Sequence, residues 1–248
     1  MTRNSKREGE PTVVLDNLHV HYKTHATGRR AREGRQLLKR QRGIKVVKAV
    51  KGVSFIARQG ESIGVIGHNG SGKSSMLRAI AGLIAPAKGA VWADGQPALL
   101  GVNAVMIPKL SGARNIELGA LAMGMSKAEL AEKYDDIVAF SGIEEFLELP
   151  MKTYSSGMSA RLRFSVAMAR QHSITLVDEA LAVGDKDFRA RGEARIREMC
   201  KTASTVFLVS HSMKSIADTC NRVLWIDRGE LRMDGPVDEV IGAYQAEK

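Results

Sequence analysis

Apolar residues along this chain follow two alternating patterns, short continuous runs and stretches with helical spacing. The first two runs flank Asp16-Asn17, a turn-forming pair, so we expect two strands joined there. The run at 91–93 precedes Asp94-Gly95 and is typical of one arm of a hairpin. Runs of strand length occupy residues 13–15, 18–22, 53–56, 62–66, 91–93, 174–177, 205–209 and 223–226.

The helical pattern is longest between about residues 102 and 171. Ser126 and Glu129 have the spacing of a capping box, and an apolar face follows them. The helically spaced apolar positions are Met76, Leu77, Ile80, Ala81 and Ile84, then Leu130, Tyr134, Ile137 and Val138, and finally Val237, Val240, Ile241 and Tyr244. A helical insert in an otherwise alternating sequence predicts an α/β fold in which a helical subdomain interrupts a parallel sheet.

Composition places the chain among ordinary globular proteins. Hydrophobic residues make up 44% and charged residues 26% of the 248 positions, which excludes general disorder, a collagen-like repeat and a disulfide scaffold. No apolar run reaches the 18 or so residues that span a bilayer, and the first ten residues lack the apolar core of a signal peptide. Cys200 and Cys220 have no metal or redox spacing. We therefore expect a soluble cytosolic protein.

The formal net charge of +10 is concentrated in one segment. Ten Lys and Arg residues lie between Arg29 and Lys51, with Glu33 as the only acid, so this segment carries nine of the ten net charges. The simplest interpretation is a solvated flexible linker. The alternative is a contact with anionic lipid headgroups, or with an anionic lipid-linked substrate, beneath a membrane. We expect no nucleic-acid binding, because no aromatic residues interleave the basic ones.

Residues 67–74, G-H-N-G-S-G-K-S, match the phosphate-loop pattern G-x-x-x-x-G-K-[ST] at every fixed position. The glycines let successive backbone N–H groups point at phosphate oxygens, and the lysine adds a positive charge near the β and γ phosphates. The strand pattern before the loop and the helical pattern after it favour a nucleotide site over a plain glycine-rich turn. The predicted nucleotide-binding residues are Gly67, Asn69, Gly70, Ser71, Gly72, Lys73, Ser74 and Ser75.

Two further segments supply candidate catalytic groups. Asp178 and Glu179 follow the apolar run at 174–177. We expect Ser74 to supply a hydroxyl for Mg²⁺, Asp178 to hold the ion through water, and Glu179 to act as general base on the attacking water. His211 follows the run at 205–209, where a neutral imidazole could hydrogen-bond the γ-phosphate or the water. A surface carboxylate pair or a structural histidine would look the same in isolation. The functional interpretation depends on their combination with Lys73.

These motifs together resemble the nucleotide-binding subunits of ABC transporters, and in particular the ATPase subunits that export O-antigen, teichoic acid, galactan and related lipid-linked glycans. Residues 154–161, Y-S-S-G-M-S-A-R, stand where the family has its L-S-G-G-Q signature. Residues 178–185, D-E-A-L-A-V-G-D, are similar to the exporters' D-E-x-L-A-V-G-D, and residues 110–116, L-S-G-A-R-N-I, to their L-T-G-R-E-N-I. The resemblance runs from about residue 12 to residue 245.

The resemblance implies a P-loop NTPase fold, the ABC nucleotide-binding domain: a RecA-like core with an N-terminal antiparallel β subdomain and an inserted helical subdomain. We expect a flexible tail at 1–11 and a single ABC ATPase domain at 12–248. Within that domain lie the basic insert at 28–51 and the helical subdomain at about 102–171. Some relatives carry a further carbohydrate-binding domain after the motor domain, and none is expected here.

The resemblance also implies ATP and Mg²⁺ as cofactors and a second copy of the chain as partner. The signature residues Ser155, Ser156, Gly157 and Met158 would lie at a helix N-terminus and bind the γ-phosphate held by the second copy. Two ATP molecules would then be sandwiched head to tail, with Asp185 linking the two sites. A plain helix N-cap is the alternative interpretation of the serines.

Under this interpretation the chain is a transport motor, peripheral on the cytoplasmic face of the membrane and bound to an integral membrane permease. The alternatives are an importer or efflux subunit, or a soluble ABC ATPase acting on ribosomes or DNA.

Two features depart from the family pattern. The loop at 101–108 lacks the Gln expected there, leaving Asn103 as a candidate, and Tyr22 is a candidate either for stacking on adenine or for a core aromatic.

Overall fold

Two β-sheets and seven α-helices form the part of the chain that the structure, a computed structural model, describes: residues 9–25, 44–100, 106–170, 172–178, 185–202, 205–210 and 212–247. The strands are β1 (Pro11–His25), β2 (Ile44–Arg58), β3 (Glu61–Ile66), β4 (Lys88–Ala93), β5 (Ala98–Leu100), β6 (Ile174–Asp178), β7 (Thr205–Val209), β8 (Arg222–Asp227) and β9 (Glu230–Gly235). The helices are α1 (Lys73–Ile80), α2 (Gly112–Ala122), α3 (Lys127–Ser141), α4 (Ser156–Met168), α5 (Lys186–Thr202), α6 (Met213–Thr219) and α7 (Val237–Ala246), with 3₁₀ turns at Glu144–Phe146 and Met151–Thr153.

The larger sheet has the strand order β5-β6-β7-β3-β8-β9. Its first five strands are parallel and β9 is antiparallel to β8. All five residues of β7 are buried, as are five of the six in β3, which is the burial expected of strands covered on both faces. The predicted strands at 62–66, 174–177, 205–209 and 223–226 are thereby confirmed. The carboxyl ends of β3 and β6 lie at the same edge of this sheet, where the candidate site forms.

The smaller sheet is antiparallel, with the order β2-β1-β4. The predicted turn at Asp16-Asn17 is wrong, because β1 continues through both residues. Leu15 pairs with Phe55 and Leu18 with Val53, so β1 carries one extra residue at this point, and Asn17 adopts a φ of 48°. An asparagine tolerates this left-handed conformation, and the turn-like pair therefore makes a β-bulge instead of a chain reversal.

The hairpin predicted after residue 93 is also wrong. Strand β4 pairs with β1, and the chain then crosses through Asp94-Gly95 into β5 of the larger sheet. The amide of Asp94 donates to the Thr12 carbonyl at 2.8 Å, which holds the crossing point against β1.

The flexible-linker interpretation of the basic segment is wrong for its last part. Strand β2 begins at Ile44, so Lys45, Lys48 and Lys51 belong to a strand paired with β1. Residues 26–43, which contain the other seven basic residues, lie outside the described part of the chain.

Helices α2, α3 and α4 pack around an apolar cluster separate from the two clusters that cover the larger sheet. The predicted capping box at the start of α3 is confirmed, since Ser126 and Glu129 exchange both hydrogen bonds. The division of the chain into subdomains stays a prediction. Among the residues that the structure describes, no helix combines the length and the apolar character needed to cross a membrane.

Candidate nucleotide-binding site

The phosphate loop connects β3 to α1, as predicted, and three of its glycines have positive φ. Gly67, Gly70 and Gly72 have φ values of 142°, 78° and 110°. A Cβ on Gly67 would collide with the Ile226 carbonyl, and one on Gly72 with the Ala49 carbonyl, whereas Gly70 faces open space. The first and last glycines are therefore required by neighbouring backbone, and the middle one leaves room for a ligand to approach the loop.

The outer side of the loop is held by a chain of backbone hydrogen bonds. The amide of Gly229, in the turn between β8 and β9, donates to the Ser71 carbonyl at 2.8 Å, and the amide of Lys51 in β2 donates to the Gly229 carbonyl at 2.7 Å. Both sheets thus contribute to the shape of the loop. This contact was not predicted, and its signal in the sequence is the turn composition of Asp227-Arg228-Gly229.

Lys73 is the first residue of α1, and its side chain is only 6% exposed. Its Nζ donates to the carbonyls of Gly67 at 2.8 Å and His68 at 2.9 Å, so the ammonium group is held across the loop. A buried lysine charge beside backbone N–H groups and a helix N-terminus is suited to an anion with several negative oxygens.

Ser74 and Asp178 meet at this edge of the sheet. The Ser74 Oγ donates to the Asp178 Oδ1 at 3.0 Å, which joins the first turn of α1 to the end of β6. A hydroxyl and a carboxylate are oxygen groups of the kind that Mg²⁺ prefers, and Ser74 and Asp178 would hold it here. The residues present therefore fit the predicted metal.

Tyr22 lies beside the same helix. Its hydroxyl is 3.1 Å from the Ser75 Oγ, and its ring is partly buried against the core beneath the smaller sheet. This placement brings Tyr22 and Ser75 to the site together and is compatible with both interpretations of the tyrosine. Stacking on adenine stays a prediction.

The signature segment forms the start of α4. Ser155 is the N-cap, and its Oγ accepts from the Met158 amide at 3.1 Å, so the plain N-cap interpretation is realised. Ser155 and Ser156 are exposed and Gly157 and Met158 are partly exposed, which leaves the N-terminus of a 13-residue helix accessible. Capping and phosphate binding are compatible, because a helix N-terminus has more than one unpaired N–H group.

Asp185 stands just before α5, 60% exposed. Its Oδ1 accepts from the Phe188 amide at 2.9 Å, and its Oδ2 is 3.4 Å from the Arg161 Nη1 on α4. The Phe188 hydrogen bond, helped by the charge of Arg161, lowers the pKa of the Asp185 carboxyl. Asp185 thus stays ionised and is tied to the signature helix.

Two of the predicted catalytic residues, Glu179 and His211, lie outside the described residues, as does Asn103. The strands that precede them in the sequence, β6 and β7, end at Asp178 and Val209. Their roles stay predictions.

A glycine-rich loop between a parallel strand and a helix, a buried lysine across it and a serine–aspartate pair at the neighbouring strand end define a P-loop nucleotide-binding domain. The chain belongs to the ABC transporter family, whose profile matches residues 50–182.

Relatives with named functions show which ABC transporter proteins this chain is similar to. The teichoic acids export ATP-binding protein TagH of Lactococcus lactis is 41% identical over 197 residues, which cover 79% of this chain and 42% of that protein. The O-antigen export system ATP-binding protein RfbB of Klebsiella pneumoniae is 38% identical over 211 residues, covering 85% of this chain and 84% of that protein. The chain spans about two fifths of the length of the Lactococcus lactis and Bacillus cereus TagH relatives (42% of each).

Solved structures agree on the fold. An ATP-binding subunit of an ABC transporter superposes with a TM-score of 0.73 at 19% identity, covering 94% of this chain and 93% of that one. A dimeric bacterial ABC transporter cassette superposes with a TM-score of 0.71 at 21% identity, covering 91% and 98%. The expected ABC nucleotide-binding fold is confirmed.

Proposed function

We propose that this chain is the ATP-hydrolysing subunit of an ABC exporter that moves a lipid-linked polysaccharide, of the teichoic acid or O-antigen type, across a membrane. The observation that carries ATP hydrolysis is the meeting of Lys73, Ser74 and Asp178 at one edge of the parallel sheet. The polysaccharide is proposed because the relatives at 35–41% identity named above are teichoic acid and O-antigen export proteins.

In this proposal the loop amides and Lys73 bind the β and γ phosphates of ATP and stabilise the charge that develops on them. Ser74 and Asp178 hold the Mg²⁺, which, when bound, neutralises phosphate charge. Glu179 orients the attacking water and accepts its proton, and His211 donates a hydrogen bond to the γ-phosphate. Tyr22 supports the adenine end of the nucleotide.

Two copies of the chain close head to tail around two ATP molecules. The exposed start of α4, with Ser155 to Met158, contacts the γ-phosphate on the loop of the second copy. Asp185, ionised and anchored to α4 through Arg161, links the two sites. ATP binding closes the pair and hydrolysis reopens it, which drives the permease.

A surface for the permease is supported by three exposed apolar side chains. Ile107, Phe146 and Leu149 are 43%, 41% and 46% exposed. They lie on two chain segments that hydrogen-bond to each other, so they share one region of the surface. Exposed apolar residues that cluster are typical of interaction sites.

Anionic lipid is proposed as a second contact, through the basic end of the smaller sheet. Strand β4 pairs with β1 only as far as His19, so residues 20–25 and 44–50 form a two-stranded ribbon, which we call the basic ribbon. It contains no Asp or Glu, and Lys23, Lys45 and Lys48 are exposed. Exposed lysines beside the exposed Val46 and Val47 suit a surface of anionic headgroups.

The decisive experiment compares Glu179→Gln with the matched variant Glu230→Gln, an exposed acid on β9. We expect Glu179→Gln to lower ATP hydrolysis about 100-fold or more while ATP binding and ATP-dependent dimerisation persist, because only the general base is lost. Glu230→Gln should hydrolyse ATP normally. Undiminished hydrolysis by Glu179→Gln would overturn the role of Glu179.

A separate experiment tests the proposed cargo: it identifies the lipid-linked glycan that accumulates in cells depleted of this protein.

A further inference from the structure

Two loops in the helical region are joined by a ladder of backbone hydrogen bonds. The first loop, residues 106–113, precedes and begins α2, and the second, residues 146–154, precedes α4; we call them the paired loops. The donor–acceptor pairs are Lys152 N to Pro108 O at 2.7 Å, Met151 N to Leu110 O at 2.9 Å, Ala113 N to Leu147 O at 3.0 Å and Gly112 N to Leu149 O at 3.3 Å. The two loops therefore form one hydrogen-bonded unit.

Asn115, which is fully buried, holds the first loop from inside. Its Oδ1 accepts from the Ile107 amide at 2.6 Å, and its Nδ2 donates to the carbonyls of Ile107 at 3.0 Å, Ser111 at 2.9 Å and Leu110 at 3.2 Å. One side chain thus hydrogen-bonds to four polar atoms of a loop without regular structure. Removal of the amide would leave the Ile107 amide without this partner, whereas the carbonyls of Ile107, Leu110 and Ser111 also accept from backbone amides.

Tyr154 holds the second loop and stands next to the α4 N-cap. Its hydroxyl donates to the Phe146 carbonyl at 2.6 Å, and burial raises the pKa of the phenol. A Cβ on Gly112 would collide with this hydroxyl, so Gly112 and Tyr154 fit each other across the paired loops. The next residue is Ser155, whose Oγ caps α4.

We propose that Asn115 and Tyr154 are positioning residues of the signature: they fix the paired loops and the Ser155 cap as one unit, which places the start of α4 against the γ-phosphate held by a second copy. This inference rests on the proposed head-to-tail dimer. The unit carries the exposed Ile107, Phe146 and Leu149 at its surface, so a partner that contacts these side chains also contacts the element that sets the position of Ser155.

The test uses Tyr154→Phe and Asn115→Ala in the Glu179→Gln background, with Tyr134→Phe as the matched control. Tyr134 is a partly buried tyrosine on α3 that hydrogen-bonds to no described residue through its hydroxyl. ATP affinity is measured by equilibrium dialysis at protein concentrations where the chain is monomeric, and dimerisation by light scattering at increasing ATP.

We expect monomer ATP affinity to stay within about twofold of the parent, because the phosphate loop is untouched. The ATP concentration for half-maximal dimerisation should rise about fivefold for Tyr154→Phe, the equivalent of one hydrogen bond, and further for Asn115→Ala. Tyr134→Phe should match the parent. Unchanged dimerisation by both variants, or a parallel loss of monomer ATP binding, overturns the positioning role.

A second pair of variants distinguishes loss of the proposed fit between Gly112 and Tyr154 from misfolding. Gly112→Ala should weaken dimerisation by pushing on the Tyr154 hydroxyl, and adding Tyr154→Phe should recover part of the loss, because the colliding oxygen is gone. A double variant worse than both single variants contradicts the proposed fit. If the Glu179→Gln parent does not dimerise with ATP, the proposed function fails and this inference fails with it. If the parent does dimerise, the variants test this inference alone.

Discussion

At the scale of single residues, the nucleotide site depends on backbone that approaches the phosphate loop too closely for any side chain. Gly72 is the clearest case, since the Ala49 carbonyl occupies the space where its Cβ would lie. Gly82 gives a comparison, because it has a φ of 71° with nothing within 4 Å of the Cβ position. Substitutions at these two glycines therefore distinguish the free-energy cost of a positive φ, present at both, from that of a steric collision, present only at Gly72.

We expect Gly72→Ala to abolish ATP binding, because the Ala49 carbonyl of β2 lies where the new Cβ would be and the φ of Gly72 is 110°. Gly82→Ala should keep ATP binding and lose only about 1 kcal/mol of stability from its backbone conformation. Nucleotide affinity and thermal unfolding of both variants provide the measurements. ATP binding by Gly72→Ala equal to that of the unchanged protein would contradict the proposed tightness of this contact.

Sequence reasoning was most successful for residues that are adjacent in the chain. The phosphate loop is a contiguous motif, so its spacing specifies its conformation, and the pairing of Ser74 with Asp178 follows from the rule that carboxyl ends of parallel strands share an edge. Two other contacts, Tyr22 with Ser75 and Gly72 with Ala49, join the smaller sheet to α1 and the phosphate loop. Which residues meet there depends on the register of the bulged pairing between β1 and β2. No local pattern encodes that register.

At the scale of elements, strands buried on both faces and helices with a clear apolar stripe were predicted, whereas short, edge or strongly polar elements were not. Strand β9 alternates exposed and partly buried residues at the sheet edge, and α6 has seven residues. Helix α5 is largely polar in sequence, although Phe188, Ile196 and Met199 are buried in the core. Such elements show too few apolar residues for their period to stand out. The Asp16-Asn17 error has a different cause, because one pair of residues suits both a turn and a bulge.

The basic ribbon supports a prediction at this scale. Lys45→Gln together with Lys48→Gln should weaken binding to vesicles containing anionic phosphatidylglycerol about fivefold for each charge removed, with little change on neutral phosphatidylcholine. Lys127→Gln with Lys214→Gln removes the same charge from exposed positions elsewhere and is the control. Sedimentation with vesicles at fixed ionic strength measures the difference, and equal binding by the two double variants would refute a specific role for the ribbon.

At the scale of the whole molecule, the proposed motor separates its nucleotide chemistry from its membrane contact. Lys73, Ser74 and Asp178 lie at the edge of the parallel sheet, whereas Ile107, Phe146 and Leu149 lie on the paired loops of the helical region. A change confined to one of these exposed side chains, which does not touch the hydrogen bonds that position Ser155, should therefore uncouple transport without removing ATP hydrolysis.

We expect Leu149→Ser to leave the ATPase rate of the isolated protein within about twofold, since a 46% exposed side chain contributes little to the core. Copurification with the membrane partner and export of the glycan should both fall. Trp92→Ser, at a residue 54% exposed on β4, is the matched control and should retain both. Normal export by Leu149→Ser would remove this surface from the proposed interface.

The Gly229 turn has a consequence for the order in which the protein is made. The phosphate loop receives one of its supporting hydrogen bonds from Gly229 and lies against the Ile226 carbonyl, and both residues leave the ribosome long after the loop itself. A nascent chain that ends before β8 thus has every residue of the glycine motif but lacks the backbone that shapes it. We therefore expect ATP capture to be a late event in biosynthesis, completed only once β8 has been added beside β3 and the Gly229 turn has followed it.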